Sequence, residues 1–156
     1  MDESILREIA NEIKGLNNHA VHLIKEGKLT EAEAYYQKSL ELTKILTYYD
    51  GMAKSYFNLA NLEVMKDDLF KAITYGTLCR EMHEKAGTET TLCDEMMKKL
   101  AKAAMKKGME LEKKGMLQEA VEYYRASIPF AEEKYRRAML KEIEVIERVM
   151  NVKTNE

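Results

Sequence analysis

The chain has no tryptophan, a single proline (Pro129), seven glycines and two cysteines among its 156 residues. So little Gly and Pro excludes an organisation rich in strands, turns or linkers and leaves room for long helices. Two cysteines, Cys79 and Cys93, are too few for a disulfide framework. No apolar run approaches the ~18 residues that span a bilayer. The first residues, Met-Asp-Glu-Ser, carry acid where a secretion signal needs base, so the expectation is a cytoplasmic protein. A net charge of −2 gives no global attraction for nucleic acid or a membrane surface.

Catalytic signatures are missing too. There is no Gly-rich phosphate loop, no Cys-x-x-Cys, no His-Glu-x-x-His and no Gly-x-Ser-x-Gly. His19 and His22 stand three apart on one helix, but no carboxylate or thiol is locally arranged to complete a metal site with them. The expectation is a protein that is not an enzyme and carries neither metal nor cofactor.

What is present is a third of the residues charged, nearly half hydrophobic, and one motif written three times. Its copies are Gly27–Tyr36, Asp67–Gly76 and Gly115–Tyr124. Each is a turn-former, then Leu two residues on (Leu29, Leu69, Leu117), Ala three further (Ala32, Ala72, Ala120) and Tyr three further still (Tyr35, Tyr75, Tyr123). That spacing predicts a tight turn followed by an amphipathic helix. Seven residues before each turn-former sit Ala20, Ala60 and Gly108; twelve after it sit Ser39, Cys79 and Ser127. All six are small, as a close crossing of the helices on either side of the turn requires. Cys79 at such a crossing reads as a buried structural thiol, although His83, four residues on, faces the same way.

With these columns the chain resembles the tetratricopeptide repeat family, whose unit is a helical hairpin with small residues at the crossing and an aromatic in the second helix. The turn-formers are 40 and 48 residues apart, against a family period of about 34, so the helices are expected to be longer than usual. Gly76 stands where an aromatic is expected, and Arg80 where the other copies have Leu40 and Ile128. The resemblance implies an all-α fold, an α-solenoid of three hairpins coiled into a right-handed superhelix and closed by a capping helix.

As a single domain over 1–156, the hairpins are expected at about 2–48, 52–86 and 92–129. Asp2 or Ser4 caps the first helix, Thr30 caps the second, and Asp50-Gly51 stops it. Gly15 with Asn17 and Asn18 weakens the middle of the first helix. Pro129 should kink or break the sixth. Beyond it Tyr135, Met139, Ile143, Ile146 and Met150 form an apolar stripe on a capping helix over 130–150, followed by a frayed tail at 151–156.

Aligning the leading helices of the hairpins gives four further columns at offsets that trace one helical face. They hold Lys14, Lys54 and Lys102; Asn18, Asn58 and Lys106; Val21, Asn61 and Met109; and Lys25, Met65 and Lys113. Six lysines, three asparagines, three apolar residues and no acid stand there in a chain of negative net charge. Asn is a poor helix former, and two on one face of a short helix (Asn58, Asn61) break a local rule as a functional site does. In the family the leading helices line a concave surface. The resemblance therefore implies a groove for an extended, acidic peptide, with Lys for carboxylates, Asn amides for backbone and Met as an adaptable floor. Family members that clamp acidic chaperone tails use five groove positions; Asn58, Lys102 and Lys106 suit the last three, while Asn17 and Val21 do not match the first two. The alternative is a structural module that pairs with a second copy through the stripe at 130–150.

Overall fold

The computed structural model describes residues 2–155. Among them are seven α-helices and no strand: α1 (Glu3–Lys25), α2 (Leu29–Ile45), α3 (Tyr49–Met65), α4 (Leu69–Ala86), α5 (Thr91–Lys113), α6 (Leu117–Ser127) and α7 (Glu133–Asn155). A 3-10 turn, Ile128–Phe130, joins the last two. Among the described residues the fold is all-α, as expected. The chain forms two compact units, one ending at Cys93 and the other beginning at Asp94, inside the first turn of α5.

The repeated turn is the same object each time. Gly27, Asp67 and Gly115 all take positive φ, 78°, 60° and 77°. The next amide in each case reaches back to close the preceding helix: Lys28 to the Leu23 carbonyl, Asp68 to Glu63 and Met116 to Leu111, all at 2.9 Å. The reversal satisfies carbonyls that a helix end otherwise leaves bare. Gly serves here because a left-handed residue pays no Cβ penalty, and Asp is the next best choice.

The link from α2 to α3 uses this device without a glycine. Thr47 takes φ 50°, and the Tyr48 amide bonds the Thr43 carbonyl at 3.1 Å. The Asp50-Gly51 stop expected after α2 therefore lies inside the first turn of α3 instead. Gly51 is there for room: a Cβ on it would stand 2.4 Å from the Tyr48 ring and 3.1 Å from Thr43 Cγ2. Nor does Thr30 cap α2; Lys28 precedes the helix without a capping bond from its side chain, and Thr30 falls within the first turn. Asp2 does cap α1, accepting from the Ser4 amide at 3.1 Å, and α1 runs unbroken through Gly15.

In the first unit α1 packs on α2, α2 on α3 and α3 on α4. Ala20, Ala32, Ala53, Ala60, Ala72, Ser39 and Cys79 have no exposed surface, so the small columns are where the helices cross. Leu23, Leu40, Leu59 and Leu62 fill the space between, each burial stabilising by about 1.5–3 kcal/mol. Gln37 Nε2 donates to the Tyr75 hydroxyl at 2.8 Å, and Tyr75 stacks on Tyr56.

In the second unit Leu111, Ala120, Val121 and Tyr124 meet Met139, Ile143 and Ile146 of α7. The α7 stripe is thus spent inside its own unit, as a cap. Pro129 breaks the helix: the backbone leaves α6, makes one 3-10 turn and is extended at Ala131 (φ −78°, ψ 151°). Arg136 reinforces the break: its guanidinium donates to Ile128 O and Ala131 O, both at 3.2 Å. Helix α7 then continues to Asn155, so 151–155 is helical where a frayed tail was expected.

Candidate functional site

In the first unit Lys14, Asn18 and Val21 are exposed on α1, and Lys54, Asn61 and Met65 on α3, with Asn58 half-buried. In the second, Lys102, Lys106, Met109 and Lys113 are exposed on α5. None of these eleven belongs to a core. Lys54 edges a cleft of about 180 Å3 whose other walls include Ala10, Ile13 and Asn17 of α1 and Ser55 of α3. The amide sharing this cleft is thus Asn17, one position from the Asn18 that column alignment selects. Its Oδ1 is buried and has no hydrogen-bond partner. Asp50 lies 3.5 Å from the Lys54 ammonium, one turn back on α3, and tempers its charge.

The second unit has two adjoining clefts between α5 and α7. The smaller, about 110 Å3, is lined by Lys98, Lys102, Met105, Glu132 and Tyr135, with the Lys102 ammonium 5.9 Å from the Tyr135 ring centre. The larger, about 340 Å3, has Met105, Met109 and Met139 as its apolar floor. Its polar end is acidic, which column alignment did not reveal. Glu112 and Glu142 both line it beside Lys113, and the Tyr124 hydroxyl donates to Glu112 Oε1 at 2.8 Å. The hydrogen bond with Glu112, then burial, raises the Glu142 carboxyl above its usual value. Burial, then the Glu112 carboxylate, drives the Tyr124 phenol far above its usual value and keeps it a donor.

A second carboxyl pair lies between α2 and α3. Burial pushes Glu33 up, but hydrogen bonds from Lys66 and Glu63 and the charges of Lys66 and Lys71 together hold it below the usual carboxylate range. Burial and the neighbouring Glu33 raise Glu63, whose side chain is almost fully enclosed. Neither Glu63 oxygen has a donor, and the proximity of the two carboxyls raises Glu63 while it lowers Glu33.

His19 packs edge-on against Tyr35 with ring centres 4.4 Å apart, and His22 Nε2 lies 2.9 Å from Glu26 Oε1. The two cysteines depart from expectation: Cys79 is not a lone thiol but is bonded to Cys93, with Cα atoms 6.4 Å apart. The exposed link at 87–89 returns the chain so that Cys93, in the first turn of α5, faces the crossing position on α4. Closing a loop of this length stabilises a fold by about 3 kcal/mol.

Helical hairpins crossing at small residues and joined by left-handed turns define a helical-repeat protein. The chain belongs to the tetratricopeptide repeat family: its profiles match residues 12–85 and 101–129, together about two-thirds of the chain. The N-terminal domain of stress-induced protein-1 (STI-1) from C. elegans is a similar solved structure, at 18% identity over 89% of this chain and 97% of that one, with a TM-score of 0.36. No curated protein matches the chain in sequence. Among the described residues no helix is long and apolar enough to cross a membrane.

Proposed function

We propose that this protein is a cytoplasmic, non-enzymatic adaptor that binds extended, acidic peptide on the exposed faces of α1 and α3 in its first unit and of α5 in its second. Tetratricopeptide domains mediate protein–protein interactions, and the chemistry of these faces narrows the partner. What supports the reading most is that a lysine of the leading column edges a cleft in each unit taken by itself. Lys54 does so beside the unpartnered Asn17 carbonyl, and Lys102 beside Met105 and Tyr135. A carboxylate of the peptide pairs with each ammonium. The acids of the larger α5–α7 cleft make that end unsuited to a further carboxylate, so the segment there is apolar, seated on methionine.

The test is anisotropy of a fluorescein-labelled Glu-rich peptide, with a Lys-rich peptide of equal length as control. The Glu-rich peptide binds, more weakly as salt rises, and Lys54→Glu with Lys102→Glu abolishes binding while the helical signal is kept. Equal binding by the double variant overturns the proposal.

Self-association through α7 is a second reading with one observation in its favour. Val145, Val149 and Val152 lie exposed along one side of that helix, away from the stripe that packs inward.

A further inference from the structure

We propose that Cys79, His83 and Cys93, once the bond between the cysteines is reduced, form a binding site for one thiophilic divalent cation of the Zn2+ type. The three side chains come from two elements. Cys79 and His83 stand four apart on α4, one turn above the other on the same face, and Cys93 is brought to them by the first turn of α5. Their donor atoms, the two sulfurs and a ring nitrogen, all lie within 4.8 Å of one another. Both cysteines are fully enclosed, while His83 keeps a partly exposed edge through which an ion can enter.

A disulfide by itself needs no third donor, and this one has an oriented imidazole beside it. His83 Nδ1 is 2.7 Å from Thr88 Oγ1 and 3.7 Å from Asp50 Oδ1. Hydroxyl and carboxylate partners of this kind fix the ring plane of a metal-binding histidine. The donor set decides the class of ion. Two thiolates and an imidazole favour Zn2+ and its Co2+ surrogate over Mg2+ or Ca2+, which take oxygen. Two Zn–S bonds of about 2.3 Å at a tetrahedral angle place the sulfurs about 3.8 Å apart. A Cα separation of 6.4 Å accommodates that with side-chain rotation alone. Three protein ligands leave the fourth position to water.

The chemistry balances with an ordinary thiol reductant. Two electrons and two protons from two reductant thiols convert the disulfide to two cysteine thiols, and the reductant leaves as its own disulfide. Binding of the cation then releases two protons as both thiols become thiolates. A reducing compartment keeps such a pair as thiols, so cation and disulfide are alternative clasps between α4 and the start of α5. This inference stands apart from the peptide-binding proposal and shares no ligand-binding residue with it; the two meet at Asp50, 3.5 Å from Lys54 and 3.7 Å from His83.

The experiment is anaerobic titration of the full chain with Co2+, following the thiolate-to-cobalt charge-transfer band. Reduced protein is expected to bind one Co2+ that Zn2+ displaces. Oxidised protein, which has no thiolate to offer and needs no substitution, is expected to give no band. Cys93→Ser is expected to abolish the band, and His83→Ala to weaken binding at least about tenfold. Circular dichroism of each reduced protein separates ligand loss from unfolding. The proposal is overturned if reduced wild-type protein gives no stoichiometric band, or if His83→Ala binds Co2+ as tightly as wild type.

Discussion

The ring of Tyr124 lies so close to Gly108 that a Cβ built on the glycine would stand 2.6 Å from Tyr124 Cε1 and 3.2 Å from the Ala120 carbonyl oxygen. Tyr124 cannot swing away, because it is buried and its hydroxyl is held by Glu112. Gly108→Ala should therefore destabilise the protein by about 1–3 kcal/mol through overpacking. Gly15 makes the opposite case: it is helical, with nothing within 4 Å of where its Cβ would be. Gly15→Ala should stabilise by about 0.5–1 kcal/mol. Denaturant midpoints of the two variants should move in opposite directions.

Ser39 and Ser127 occupy the same column of the repeat and are both fully buried, yet they differ in bonding. Ser127 Oγ donates to the Ala101 carbonyl across the hairpin at 2.6 Å, whereas Ser39 Oγ has no partner. Ser127→Ala should cost about 1 kcal/mol. Ser39→Ala, which removes an unsatisfied hydroxyl, should be neutral or stabilising in the same thermal melt.

The Glu33–Glu63 pair gives a pH dependence with opposite signs. A raised carboxyl such as Glu63 contributes stability below its unfolded value near 4.5 and loses it as pH rises through its folded value. The lowered Glu33 contributes above 4.5 and loses its share as pH falls through its own folded value. Glu63→Gln, which stays neutral and can still donate to Glu33, should raise the melting temperature at pH 7, with the gain vanishing below about pH 4. Glu33→Gln should lower stability at pH 7 by about 2 kcal/mol, because Lys66 loses its charged partner.

Helix α7 carries two apolar faces with different duties. Ile143→Ala removes part of the buried stripe and should cost about 2–4 kcal/mol. Val149→Ser alters only the exposed side and should leave the melt unchanged. If α7 serves as a cap and not as a dimer contact, light scattering should return the 18.1 kDa of one chain for both wild type and Val149→Ser.

Most of the fold was legible because the repeat exposes its own logic. Three turn-formers at equivalent places each adopt the left-handed conformation that their residue type foretells, and the small columns each mark a crossing. The α2–α3 turn was misplaced because Asp50-Gly51 reads as a stop signal, while Gly51 answers to the Tyr48 ring and Thr47 takes the positive φ. Column alignment found the exposed lysines, since solvated positions repeat with the helix. It chose Asn18 over Asn17, because which of two neighbouring amides enters a cleft depends on where α3 lies. It also missed Glu112 and Glu142, which meet only once α7 has folded back. The cysteine pair was illegible for a related reason: fourteen residues of sequence do not say how sharply the link between α4 and α5 returns.

Arg136 donates to two carbonyls at the proline break while sitting in the first turn of α7. One side chain thus ties the start of the last helix to the end of the one before it. Losing that side chain should loosen the junction, so Arg136→Ala should speed deuterium exchange of the amides that open α7.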